Sequence, residues 1–140
     1  MNERPNAAAE RANAPTRQRD GRVDRALLER VEAFADRVLN VAEEIERQGR
    51  SRRIIDQLIG SGTSVGANLF EADEAMSTKD FVRCFSIALK ELNETRFWLR
   101  LLLRRGWIPE PRMDDLSSEA DQLRRILSTT IARSKRPKTT

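Results

Sequence analysis

The sequence has no histidine and no tyrosine among its 140 residues, and it has one cysteine, Cys84. Without histidine, the chain cannot form a Ser-His-Asp or Cys-His catalytic site, an imidazole metal site or the Glu-x-x-His iron site of some helical bundles. A single cysteine excludes an internal disulfide and a zinc site made only of cysteines. We therefore expect no enzymatic activity, no cofactor and no bound metal.

Long apolar runs are also missing. No stretch approaches the roughly 18 consecutive apolar residues that indicate a transmembrane helix, and the arginine-containing N-terminus has no apolar segment of the kind found in secretory signals. We expect a cytoplasmic protein with no membrane partner, and a length of 140 residues predicts one domain.

Charge is present in quantity, but it is unevenly distributed. The net charge of +4 combines a body with more acidic than basic residues, 23–121, and two basic ends. The last 19 residues contain no acidic side chain. We predict that any nucleic-acid contact uses their six basic residues, Arg124, Arg125, Arg133, Lys135, Arg136 and Lys138.

Apolar periodicity predicts four helices between two tails. Residues 1–22 contain none of Leu, Ile, Val, Phe or Trp and predict a disordered tail; residues 23–133 predict the folded domain, and 134–140 a basic tail. The first helix runs from about Asp24 to Gln48, the second begins after Ser51, the third after Ser77 and the fourth near Pro111. The stripes expected to be buried are Leu27, Val31, Phe34, Val38, Val41 and Ile45; Leu58, Gly62, Val65, Leu69, Ala72 and Met76; Phe81, Phe85, Ala88, Leu92, Thr95, Leu99 and Leu102; and Met113, Leu116, Ala120, Leu123 and Leu127.

The short connections between these helices make sequence neighbours antiparallel. The sequence therefore predicts an all-α fold, an up-down-up-down antiparallel four-helix bundle without strands.

The second and third helices have more small or apolar surface than one bundle needs. The second contains three glycines, Gly60, Gly62 and Gly66, each unfavourable in a helix by about 1 kcal/mol relative to alanine. Close approach by another helix would compensate that cost. Both helices also carry a second stripe beside the first, which predicts burial on two faces and favours a homo-oligomer over a monomer.

A polar cluster lies on these second stripes. Antiparallel helices would bring Asn68 and Glu71 close to Glu91 and Glu94, and such carboxylates can hold a hard cation or act as acid and base. We favour a structural polar network that fixes helix register and assembly. Its expected members are Ser61, Ser64, Asn68, Glu71, Lys90, Glu91 and Glu94, with Arg96 also near. Cys84 is expected to be a buried thiol without a reactive role.

The segment Gln57–Leu102 resembles a family of small four-helix bundle proteins, first noticed as reading frames in the intervening sequences of bacterial 23S ribosomal RNA genes. The resemblance lies in a serine-rich second helix and an I-A-x-K-E-x-x-E-T-x-x-W-L third helix. The matching residues are Ser61, Ser64, Val65, Asn68, Glu71, Asp80, Phe81, Ile87, Ala88, Lys90, Glu91, Glu94, Thr95, Trp98 and Leu99.

The resemblance implies a homopentameric ring without known enzymatic activity. It also implies kinship with the accessory variability protein of diversity-generating retroelements, a pentameric barrel that binds nucleic acid and a reverse transcriptase. Around a pentamer the C-terminal charges would be repeated five times, which would attract phosphate strongly at low salt.

Two functions remain open at the level of sequence. The first is a non-enzymatic oligomer that binds RNA or DNA electrostatically and acts as an adapter for a reverse transcriptase or another protein. The alternative is a protein-interaction scaffold with no nucleic-acid role. Trp98 and Trp107 are expected to be a helix-packing residue and a loop anchor, so base-specific recognition is not predicted. Arg50, Arg52 and Arg53 either extend a phosphate-binding surface or are neutralised by Glu43, Glu44 and Glu46.

Overall fold

The computed structural model describes residues 21–137, which fold into four α-helices. They are α1 (Arg25–Arg47), α2 (Arg52–Asp73), α3 (Thr78–Arg104) and α4 (Glu110–Ser134). Between residues 21 and 137 there is no strand. The predicted all-α four-helix bundle is confirmed.

Local sequence sets the ends of the helices. The Asp24 carboxylate accepts a hydrogen bond from the Ala26 amide at 3.0 Å, and the Ser77 hydroxyl accepts one from the Asp80 amide at 3.1 Å, so both side chains cap a helix. Gly49 and Gly106, which follow α1 and α3, have φ angles of 73° and 70°. These left-handed conformations favour glycine and turn the chain back along the bundle.

Each helix packs against its sequence neighbour, and α4 returns to contact α1. This arrangement is that of an up-down-up-down bundle. The α1–α4 contact is the least extensive of the four. Arg30 of α1 spans it with an ion pair to Glu119 of α4, in which Arg30 Nε lies 3.1 Å from Glu119 Oε2.

The predicted apolar stripes form the core, with two departures. Every residue of the α3 and α4 stripes is buried. In α1, Ala42 is buried while Val41 is only half-buried. The prediction for Met76 is wrong: α2 ends at Asp73, so Met76 lies beyond the helix and its side chain is 90% exposed.

Two of the α2 glycines face α1 of the same chain, and at Gly62 the approach is too close for a Cβ, whereas at Gly66 a Cβ would make an ordinary van der Waals contact. A Cβ on Gly62 would lie 2.5 Å from Val38 Cγ1, and one on Gly66 would lie 3.5 Å from the Val31 carbonyl oxygen. At Gly60 a Cβ would meet nothing within 4 Å. The helix that compensates for these glycines is therefore inside the bundle, and they are not by themselves evidence for a second subunit.

The chain enters the bundle slightly earlier than the sequence predicts. Arg22 donates its amide hydrogen to the Asp73 carbonyl at 3.1 Å, and the Val23 amide donates to Asp73 Oδ1 at 2.8 Å. Of the predicted N-terminal tail, residues 1–20 lie outside the described residues, as do 138–140 of the C-terminal tail. None of the four described helices is both long and apolar enough to span a membrane.

Candidate nucleic-acid interface

The basic residues at the end of α4 are exposed and have no acidic partner among the described residues. Arg133 lies in the last turn of α4, Lys135 and Arg136 follow it, and none of the three forms an ion pair within residues 21–137. Arg133 and Arg136 line a depression of about 280 Å³ with Arg22. Lys138 lies outside the described residues.

Arg124 and Arg125 do not extend this surface as one face. Arg125 is exposed, whereas Arg124 is half-buried and its Nε is buried without a hydrogen-bond partner among the described residues. Nine residues separate Arg124 from Arg133, which places them about half a turn apart around the helix axis. The structure therefore brings together Arg133, Lys135 and Arg136 and separates them from Arg124.

A second group of arginines lies at the opposite end of the bundle. We name this the loop end: the α1–α2 turn, the first turn of α2, the last turn of α3 and the α3–α4 loop. Arg50, Arg53, Arg104 and Arg105 are all exposed there, and none forms an ion pair within the described range.

Two of the three acidic residues expected to neutralise this end form ion pairs with arginines other than Arg50 and Arg53. Glu44 lies 3.0 Å from Arg47 and 3.8 Å from Arg112, and Glu46 lies 3.4 Å from Arg52. Arg52 is therefore neutralised, while Arg50 and Arg53 keep their charge without a carboxylate partner among the described residues.

Trp107 organises the loop end in a way that the sequence analysis missed. The Arg50 guanidinium carbon lies 4.5 Å from the indole centroid, and that of Arg105 lies 5.7 Å from it. Gln48 donates from Nε2 to the Trp107 carbonyl at 2.9 Å and accepts at Oε1 from Arg50 Nε at 3.0 Å. The sequence contains the run Arg104-Arg105-Gly106-Trp107, in which two arginines precede the tryptophan. From the sequence, this run predicts only the end of a helix and a loop anchor.

Of the predicted polar network, Ser61 alone bonds between helices within the described residues, and its partner Thr95 was expected in the core stripe and not in the network. The Ser61 and Thr95 hydroxyl oxygens, both buried, lie 2.9 Å apart and join α2 to α3. Thr95 Oγ1 is also 2.8 Å from the Glu91 carbonyl oxygen, and Ser61 Oγ is 3.3 Å from that of Leu58. Backbone carbonyls therefore satisfy this pair.

The other members of the network do not bond across helices within the described residues. Ser64 donates to the Gly60 carbonyl at 2.6 Å, and Asn68 donates to the Ser64 carbonyl at 2.8 Å, both within α2. Arg96, expected near the carboxylates, instead lies 2.9 Å from Asp121 of α4. The exposed residues Glu71 and Glu94 and the nearby Lys90 form no ion pair within the described part of the chain.

The fold raises the pKa of one member of this cluster, Glu91. Its side chain is half-buried, and desolvation raises its pKa above the usual carboxyl range, with a further rise from the neighbouring Glu94 charge and a partial offset from Lys90. Among residues 21–137, no three Cys, Asp or Glu side chains are grouped so that they could hold a metal ion. Cys84 is 2% exposed, and burial raises the pKa of its thiol.

Within the described residues, the outer surface of α3 exposes apolar side chains. Phe97 is 57% exposed and packs edge-on against Trp98, with ring centroids 5.1 Å apart. Trp98 Nε1 is buried and has no hydrogen-bond partner among the described residues. Phe97 and Leu101 line a shallow depression of about 470 Å³ with Arg100 and Arg104. This surface suits a protein contact with a charged rim.

Comparisons with known proteins bear on the whole bundle. The family model described as "23S rRNA-intervening sequence protein" matches residues 24–129. A crystal structure at 1.70 Å of a protein of unknown function from the S23 ribosomal protein family of Bacteroides thetaiotaomicron VPI-5482 is 32% identical, with a TM-score of 0.72. The match covers 75% of this chain and 97% of that one. Among curated proteins, none matches.

Proposed function

The chain belongs to the family of 23S rRNA-intervening sequence proteins, and from this premise we propose that it is a non-enzymatic, self-assembling bundle that binds RNA or DNA electrostatically. The observation that carries the proposal is the group Arg133, Lys135 and Arg136, exposed at one end of the bundle without a carboxylate partner in the described residues. Lysines and arginines that are not paired within the protein are available to phosphates, and each contact releases counterions from the nucleic acid.

Self-assembly would strengthen this binding. The exposed Phe97 and the half-buried Trp98 and Leu101 support a subunit contact through α3. A pentamer, which the resemblance implies, would present five copies of the C-terminal end to one strand. When several weak phosphate contacts belong to one assembly, the first contact raises the effective concentration of the strand at the others, so the overall affinity increases. The same assembly could serve as an adapter that presents the strand to a reverse transcriptase or another protein.

The buried Ser61–Thr95 contact supports a structural role for this part of the α2–α3 interface. Glu91 and Glu94 lie on one helix, and the buried hydroxyl pair beside them is satisfied by backbone carbonyls. We therefore assign the Ser61–Thr95 contact to α2–α3 register, with no catalytic part for Glu91.

The test compares two variants of equal charge. Arg133→Gln with Lys135→Gln and Arg136→Gln removes three unpaired charges. Arg47→Gln with Arg52→Gln and Arg83→Gln removes three charges that are paired with Glu44, Asp56 and Asp80 on their own helices. Affinity for a single-stranded oligonucleotide is measured by fluorescence anisotropy across a salt series.

We expect the first variant to bind at least about ten-fold more weakly than the second. Its slope of log K against log salt should fall by about 2, roughly 0.7 for each phosphate that the variant no longer neutralises. Equal affinities, or binding that does not respond to salt, would contradict the proposal.

The apolar α3 surface favours the alternative, a protein-interaction scaffold. That function predicts no oligonucleotide binding by the wild-type protein at any salt concentration, together with a specific protein that co-purifies from nuclease-treated lysate.

A further inference from the structure

We propose that the loop end carries a second phosphate-binding site for the RNA or DNA backbone, built on Arg50, Arg105 and Trp107. This inference rests on the proposed function and adds a contact region that the C-terminal residues do not include. Because α4 has 25 residues and rises about 1.5 Å per residue, the two basic ends lie roughly 37 Å apart. A strand that engages both would therefore run along the length of the bundle.

Arg50 is held in a fixed orientation by its neighbours. Its guanidinium lies over the Trp107 ring at 4.5 Å, and its Nε donates to Gln48 Oε1 at 3.0 Å. The two terminal nitrogens make no hydrogen bond or ion pair within the described residues. A guanidinium that stacks on an aromatic ring keeps its edge free, and that edge matches the geometry of a phosphate group.

Gln48 ties the two loops of this end together. It bonds at once to Arg50 in the α1–α2 turn and to the Trp107 carbonyl in the α3–α4 loop. Arg105 contacts the same indole at 5.7 Å. Two cations from different loops are therefore positioned against one ring before any ligand binds, which lowers the ordering cost of binding.

The charge of the loop end is complementary to a polyanion. Besides Arg50 and Arg105, Arg53 and Arg104 lack a carboxylate partner among the described residues, while Glu44 and Glu46 pair with other arginines. Like charges held near one another are unfavourable unless an anion joins them. A nucleic-acid backbone supplies several phosphates in sequence, so it can neutralise more than one of these arginines at once.

The test uses the full chain with Arg50→Ala and Arg105→Ala combined. The matched control combines Arg25→Ala and Arg37→Ala, two α1 arginines that also form no ion pair within the described range. We expect the first variant to bind a single-stranded oligonucleotide at least about ten-fold more weakly than the control. Its salt slope should fall by about 1.4, since two arginines each neutralise one phosphate at about 0.7. Circular dichroism checks that both variants remain helical.

The Arg50→Lys variant distinguishes a site organised around Trp107 from attraction by positive charge alone. It keeps the charge but removes the guanidinium fork and its stacking on Trp107, so we expect about three-fold weaker binding. Affinity equal to that of the wild type would mean that only charge matters and would overturn the site as described.

Tryptophan emission gives a second measurement. The chain has two tryptophans, so Trp98→Phe leaves Trp107 as the reporter. We expect Trp107 emission to change over the oligonucleotide concentrations at which binding occurs. The change should persist when Arg133, Lys135 and Arg136 are replaced by glutamine.

The outcomes distinguish the two proposals. If the wild type binds no oligonucleotide, both fail. If the wild type binds, but neither the Arg50/Arg105 variant nor Trp107 emission responds, the second site is wrong and the proposed function stands. If that variant loses binding only to phosphatidylserine vesicles, the site is a lipid site and the inference is overturned.

Discussion

At the scale of single residues, Glu91 shows how burial changes the chemistry of one carboxyl group. It lies half-buried on α3, beside Glu94 and Lys90. Desolvation and the Glu94 charge raise its pKa, so the folded chain holds the Glu91 proton more tightly than the unfolded chain does. Ionised Glu91 therefore opposes folding, and its contribution depends on pH.

The sign of this dependence gives a prediction for Glu91→Gln. Below the ordinary carboxyl range Glu91 is protonated in both states, and its favourable contribution is present in full. That contribution is lost as the pH rises through the raised pKa. We expect Glu91→Gln to be at least as stable as the wild type at neutral pH, with the wild type gaining on the variant as the pH falls through the weakly acidic range.

Urea titrations at a series of pH values measure the effect. Glu74→Gln, which removes an acidic side chain beyond the end of α2, is the control and should show no such gain. Parallel curves for Glu91→Gln and the wild type would contradict the prediction. If the native mass and stability of Glu91→Gln are both unchanged, Glu91 has no part in fixing assembly.

Burial also raises the pKa of Cys84. At 2% exposure its thiol is desolvated, and the resulting rise in pKa keeps it protonated and poorly nucleophilic at neutral pH. The adjacent Arg83 partly offsets this rise. Burial therefore changes the pKa of Cys84 more than the Arg83 charge does.

At the scale of helices, the α1–α2 interface explains why α2 tolerates glycine. Gly62 lies against Val38, closer than any side chain there would allow. The cost in helix propensity, about 1 kcal/mol, is offset by the closer packing of the two helices. Gly60 lies two residues earlier, and a Cβ there would meet nothing within 4 Å among the described residues, so Gly60 carries the same cost with no packing gain from them.

The same substitution is therefore expected to have opposite effects on stability at Gly62 and at Gly60. Gly62→Ala should lower the free energy of unfolding by about 1–3 kcal/mol, because the new methyl group overlaps Val38. Gly60→Ala should raise it by about 1 kcal/mol through helix propensity alone. Urea unfolding at one fixed protein concentration measures both. Destabilisation by Gly60→Ala would contradict this prediction and would mean that a group other than the described residues approaches Gly60.

Helix periodicity predicted the core more accurately than it predicted helix ends. The α3 and α4 stripes are buried residue for residue because a regular 3-4 spacing keeps one face inward along the whole helix. Met76 fits the α2 stripe by spacing, but the helix stops at Asp73. Asp73 also accepts hydrogen bonds from the backbone amides of Arg22 and Val23. These residues are distant in sequence, so helix periodicity does not predict their contact.

At the scale of the whole molecule, a group of arginines without a carboxylate partner among the described residues lies at each end of the bundle, and α3 exposes apolar surface between them. The acidic side chains along the bundle are partly used in ion pairs such as Arg30–Glu119 and Arg96–Asp121. The side of the bundle formed by α3 exposes Phe97 and its neighbours. Such a distribution suits assembly through the side and binding of an anion at the ends.

Two exposed phenylalanines allow a test of assembly. Phe97→Ser should reduce the native mass measured by light scattering, because it removes the largest exposed apolar group of α3. Phe70 of α2 is 48% exposed, and Phe70→Ser tests whether α2, which also carries a second stripe, takes part in the same contact. A wild-type monomer, or an unchanged mass for Phe97→Ser, would contradict assembly through α3.

The class of fold, the number of helices and the faces that form the core could be predicted from the sequence, since they follow from local periodicity, caps and short connections. The sequence also determined that positive charge collects toward the C-terminus. Tertiary structure alone decided that α1 fills the space beside Gly62, that Arg96 pairs with Asp121, and that Arg50 and Arg105 meet over Trp107. Each of these joins residues on different helices or loops, and such contacts depend on how the helices pack rather than on any local pattern.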